Sequence, residues 1–98
     1  MDFDSFYQFY LSEHKNVVNR RLHFFGSILS LGFLISFICY SRFKFIPLAV
    51  VTGYAPAWIG HFFFEKNKPA SFKHPIMSFM CDWVMVKDIF LGKVSLRK

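Results

Sequence analysis

The chain has 98 residues, of which 54% are hydrophobic and 21% aromatic, with fifteen phenylalanines and a net charge of +6. So short a chain makes one domain with a modest core, too small to hide that much apolar side chain from water, and this points to lipid as its solvent. The basic residues form short clusters beside apolar runs instead of a stripe along one element, which suits anionic headgroups and argues against nucleic acid.

In chain order, Phe3, Phe6, Tyr7, Tyr10 and Leu11 fall at helical spacing and make one apolar face. An amphipathic helix over residues 2–15 is expected, lying in a membrane interface or packed on the spans. The acidic, aromatic start has no basic region and no small-residue cleavage site, so no cleaved signal peptide is expected. A helix over 17–40 follows, within which Phe24 to Tyr40 carries no charge. That uncharged stretch is roughly 26 Å of helix, enough to cross most of a hydrocarbon core. Arg42 and Lys44 mark a turn, and the next uncharged stretch predicts a second span over 45–66. Pro56 inside it is expected to kink the helix and free backbone groups that need partners from a neighbour. The loop Glu65 to Pro75 is polar and basic. A last helix over 74–91 is apolar but contains Asp82, Lys87 and Asp88, which leaves it open between a third, shallow span and an interfacial helix. The basic tail from Gly92 is expected to fray. Cys39 and Cys81 are far apart in apolar segments, so they suggest no disulfide framework and no CxxC metal motif. The predicted fold is therefore all-α: a small helical integral membrane protein in one domain, a two-span antiparallel hairpin with one helix before it and one after.

On such a hairpin the side carrying the N-terminus and the 65–75 loop holds Lys15, Arg20, Arg21, Lys66, Lys68 and Lys73, against Arg42 and Lys44 at the opposite turn. The positive-inside rule places the richer side in the cytoplasm, of a bacterial inner membrane or the endoplasmic reticulum. His14, His23, His61 and His74 all fall at that same end. Four imidazoles converging there suit Fe, Zn, Cu or Ni, and a nearby carboxylate, Glu65 or Asp82, would offset the ion's charge or take a ring N–H. His14 and His23 are nine residues apart and would face opposite ways on one unbroken helix, so a break near Lys15 or Asn16 is required if both bind one ion. Asn19 and His23 share a helix face, as do His61 and Glu65. The competing explanation is that an interfacial histidine merely hydrogen-bonds backbone or headgroups. His61, deep in an apolar span, is the strongest case against it. For Trp58, Trp83 and the other aromatic residues, interfacial belts and packing are sufficient.

The stretches YLSEHKNVVNRRLHFFG, GYAPAWIGHFFFEKNKPASFKHP and SFMCDWVM resemble the small membrane protein family of the fungal iron-dependent 2-hydroxy fatty acid dioxygenase of phytosphingosine breakdown. The likeness runs from about Phe6 to Gly92 and rests on an H-x4-N-x3-H-x2-G block, a G-H-x3-E-x-N-x-P-A block, and an H-P with an aspartate eight residues on. Ser71 stands where the family often has threonine, and the chain is shorter than the fungal member. The resemblance implies Fe(II) held by His14, His23, His61 and His74, with Asn19, Glu65, Asn67 and Asp82 as supporting polar positions. It also implies 2-hydroxy fatty acid and O2 as substrates and membrane lipid as surroundings. The implied reaction is cleavage of C1–C2 in fatty acid alpha-oxidation. Two other classes stay open on the residues alone: a haem-binding or electron-transfer membrane protein, and a non-catalytic lipid-binding scaffold. A zinc hydrolase is weaker, because nothing marks a nucleophile.

Overall fold

A computed structural model describes residues 2–69 and 72–96, and among them there are four α-helices and no strand. Helix α1 is Phe3–Ser12, α2 Val17–Tyr40, α3 Phe45–Ile59, continued by a π-helical turn Gly60–Glu65, and α4 Pro75–Phe90. Both Val17–Tyr40 and Phe45–Glu65 are long and apolar enough to cross a membrane.

The first helix covers all five apolar positions but stops short of the expected range 2–15. Asp2 caps it by accepting from Ser5 N at 2.8 Å, and it ends at Ser12 because Asn16 starts a new helix, its Oδ1 accepting from the amides of Val18 and Asn19. The break demanded by the spacing of His14 and His23 therefore lies between Ser12 and Asn16. Helix α1 packs on α4: Phe6 and Tyr10 are buried with Cys81 and Met85, and Val94 of the tail completes the cluster. The tail does not fray as expected over its described part. Arg20 reaches the Ser95 carbonyl and Arg21 the Leu96 carbonyl, which ties residues 94–96 across the start of α2.

Small residues let α2 and α3 approach backbone to backbone. Pro56 has no N–H, so the Thr52 carbonyl one turn back loses its helical donor. Gly26 of α2 lies directly over that carbonyl, where an added Cβ would come within 2.7 Å of Thr52 O and 3.2 Å of the Pro56 ring. The absence of a side chain at Gly26 is thus what lets α2 approach the backbone beside the proline. Farther along, the Ser30 hydroxyl donates to the Ala49 carbonyl at 2.8 Å. At the other end Gly60 meets Asn19 so closely that a Cβ would sit 2.0 Å from its Oδ1. Packing by small and hydroxyl-bearing residues of this kind is common between membrane helices.

The second predicted span, 45–66, is not one uniform helix. It runs helically past Pro56 to Ile59 and then widens into the π turn, which closes with Lys66 in the left-handed region (φ 60°) and Asn67 N donating to His61 O at 3.0 Å. Such widened turns insert an extra residue and re-aim side chains. Here the re-aimed residue is His61.

Candidate metal centre

Three elements each deliver one imidazole to the same point. His14 comes from the break between α1 and α2, His23 from the second turn of α2, and His61 from the π turn, and all three are buried. Their ring centroids are 4.4 to 5.0 Å apart and their planes nearly perpendicular, so the rings meet edge to face around a common centre. The His14 Nε2 lies 3.1 Å from His23 Nε2 and 3.0 Å from His61 Nε2.

The hydrogen bonds behind the rings fix which nitrogens carry protons. His14 Nδ1 faces the Tyr10 carbonyl at 2.7 Å and His23 Nδ1 the Asn19 carbonyl at 3.1 Å. A carbonyl only accepts, so both Nδ1 atoms are protonated. His61 Nδ1 faces Asn67 Oδ1 at 2.7 Å. The Asn67 amide cannot be turned the other way, because its Nδ2 already donates to the carboxylate and the carbonyl of Glu13, both acceptors. With every Nδ1 protonated, the three facing Nε2 atoms of neutral rings all present lone pairs. A bound cation would reconcile them. A proton on His14 would make it an imidazolium, and burial, reinforced by His23, pushes its pKa well below the ordinary value. A metal ion could do so: nitrogens bound at about 2.0–2.1 Å to one ion sit roughly 3 Å apart, as the His14–His23 and His14–His61 pairs do, and the three ligand atoms all lie within 4.8 Å of one another.

The chain matches the family model described as 2-hydroxy-palmitic acid dioxygenase Mpo1-like over residues 1–94. The chain belongs to the Mpo1-like family. No curated protein and no solved structure matches it. The family's description names an O2-using activity on a 2-hydroxy fatty acid, and the His14, His23, His61 triad is the place in this member where a metal could support it.

The other positions singled out in the sequence are placed in different ways. His74 is not in the cluster: it is exposed, at the start of α4, with its ring edge-on to Phe6 at 5.2 Å. The expected four-histidine convergence is thus a three-histidine one, because α4 starts at Pro75 and leaves His74 outside its first turn, against α1. Asn19 serves His23 through its backbone carbonyl, while its buried side-chain amide lies against Gly60 without a hydrogen-bond partner. Glu65 does not touch a ring. Its carboxylate accepts from Asn16 N at the start of α2, fastening the π turn to the helix that carries His23. Asn67 is the one whose side chain orients a ring, that of His61.

Asp82 lines a small cavity of about 20 Å³ bounded by the three histidines, Tyr10 and Ser78. That is room for one water or one ion. It leaves no space for a porphyrin between two of these rings, which weighs against the haem alternative. Burial raises the Asp82 carboxyl to about 6, with the Tyr10 hydroxyl hydrogen-bonded to it pulling the other way. Tyr10 and Glu13 escaped sequence reasoning. Tyr10 stacks on His14 with centroids 4.0 Å apart, lends it a carbonyl and binds Asp82, yet in the sequence it is one aromatic residue of an amphipathic face. Glu13 acts through Asn67 across 54 residues, and no local spacing announces that.

Proposed function

We propose that this protein is an iron-dependent dioxygenase of a membrane, converting a 2-hydroxy fatty acid and O2 into the acid one carbon shorter, CO2 and water. The observation that carries the reading is the meeting of three unprotonated Nε2 atoms, from His14, His23 and His61, in a member of a family described by that activity. The atoms and electrons balance without an outside reductant. The C1–C2 bond breaks, C1 leaves as CO2, C2 becomes a carboxyl carbon, and the four electrons released reduce O2, one oxygen-atom equivalent leaving as water and the other entering the carbon products.

His14, His23 and His61 would hold Fe(II) through Nε2. Iron when bound supplies a Lewis acid for the acid's carboxylate and hydroxyl oxygens and the redox chemistry that O2 needs, which zinc lacks. The chain's own groups do the rest. The Glu13–Asn67 pair holds His61 in its tautomer, and the Tyr10 and Asn19 carbonyls do the same for His14 and His23. Tyr10, whose own hydroxyl burial keeps protonated, holds the Asp82 carboxyl at the cavity edge, where it can accept the proton released from the substrate hydroxyl.

The surface supports a membrane setting. Ile38, Phe43, Phe63 and Ile76 are each more than 70% exposed, an arrangement that water penalises and lipid does not. By the distribution of Lys and Arg, the histidine end faces the cytoplasm.

The test is anaerobic purification in detergent, metal analysis, and release of labelled CO2 from a C1-labelled 2-hydroxy fatty acid on adding O2. One iron per chain and one CO2 per O2 consumed are expected. Full iron loading without CO2 release would overturn the reading.

A further inference from the structure

An apolar groove of about 250 Å³ runs between α2, α3 and α4. Its walls include Leu34, Ile46, Val50, Phe79 and Trp83, and it shares Tyr54 and Asp82 with the lining of the metal cavity. The two spaces therefore adjoin, one the size of an ion and bordered by the histidines, the other larger and apolar. Ser78, one turn before Asp82 on α4, is buried, lines the metal cavity and has a hydroxyl with no hydrogen-bond partner. A buried hydroxyl left without a partner costs free energy unless a ligand completes it. Ser78 and Asp82 therefore share a face of that helix.

We infer that the groove holds the alkyl tail of the acid, with its carboxylate end on Ser78 at the metal cavity and its far end between Leu34 and Ile46. This rests on the reading proposed above and names the part of the chain that sets which acids are accepted. Tyr54 and Ile46 are eight residues apart on α3, about 12 Å along the helix. An extended alkyl chain, with bonds of about 1.5 Å in a zigzag, advances about 1.25 Å per carbon, so the groove contains about ten carbons. Longer tails emerge past Leu34 and Ile46, both 39% exposed, into the apolar surroundings of the hairpin. The groove thus selects against short acids and is indifferent to length beyond its end.

The experiment is calorimetric binding of straight-chain saturated 2-hydroxy acids of increasing length to the iron-loaded protein under argon, where no turnover occurs. Affinity is expected to rise about fourfold per CH2 and to level off at about ten carbons of tail. In a Leu34→Phe, Ile46→Phe double variant, the levelling-off moves to shorter acids while the shortest acids bind as before. Superimposable profiles in the two proteins would overturn the inference, as would equal competition by a diacyl phospholipid, which would mark the groove as ordinary lipid-facing surface. The two readings fail separately. Binding with the expected profile but no CO2 on adding O2 defeats the dioxygenase and leaves the groove. CO2 release with the same length dependence in both proteins defeats the groove and leaves the dioxygenase.

Discussion

The two ends of the α2–α3 hairpin are built on opposite plans. At the histidine end the polar groups are inside: His14, Asn19 and His61 are 1%, 0% and 2% exposed. At the turn end the apolar groups are outside, with Phe43 77% and Ile38 75% exposed and, among the described residues, no buried cluster beneath them. The same pair of helices supports both because it is held by close backbone approach at Gly26, Ser30 and Gly60, which needs no apolar core between the helices. Where apolar side chains are not required inside, the interior is free for imidazoles. The sharpest way to break this contrast is His23→Ala, which removes one of three nitrogens and is expected to abolish stoichiometric metal in the purified protein. Phe43→Ser at the other end should leave the metal content at the wild-type value.

Next in size is Gly60→Val. A Cβ there would overlap Asn19 Oδ1, so the π turn and α2 must separate, at a cost of about 3 kcal/mol and with loss of the site. Gly32, on the same α2 but facing open space, is the control: Gly32→Val meets nothing within 4 Å and should leave thermal stability in detergent unchanged. Equal melting of the two variants would show that the backbone approach does not hold the hairpin.

Asp82→Asn probes the polar end through pH. In the metal-free protein burial lifts the folded-state value from 3.8 to about 6. Below the unfolded value both states are protonated and burial costs nothing; as pH rises through the folded value the folded protein must give up a proton it favours, and the full penalty stands above it. That penalty is at most about 3 kcal/mol. The variant should therefore be more stable than wild type at pH 7 and similar at pH 4, read from denaturant midpoints. A constant difference across that range would mean Asp82 does not titrate there.

These expectations also show what the sequence carries and what it hides. The hairpin, its turn at Arg42 and Lys44 and the break before Asn16 follow from hydropathy and helical phase, which are local. The gathering of His23 and His61 follows from antiparallel topology. The π turn does not: Gly60 weakens the helix there but does not announce a widened turn, and the widening reflects the fastening of Glu65 to Asn16 and of Asn67 to His61, contacts that exist only once the helices are paired. Glu13 was hidden for the same reason, since its role passes through Asn67. Asn67→Ala tests that chain. It leaves all three imidazoles in place but frees the His61 ring, and a metal affinity lowered by 10- to 100-fold is expected in competition with a chelator. Glu13→Gln, which keeps an acceptor for Asn67, should fall between that variant and wild type.

The smallest effect is predicted for His74, and it bears most directly on the family pattern. Among the motif histidines it alone lies outside the cluster, exposed and in edge contact with Phe6, whose other neighbours are in the α1–α4 core. Losing an exposed aromatic edge contact costs about 0.5–1.5 kcal/mol. His74→Ala should accordingly lower stability slightly and leave metal content and chelator competition as in wild type, in direct contrast to His23→Ala. His74→Phe separates the two roles, since it keeps the ring on Phe6 and removes the nitrogens. If that variant loses metal while remaining as stable as wild type, His74 is a fourth ligand that swings in when the ion binds, and the site closes over the metal from the α4 side.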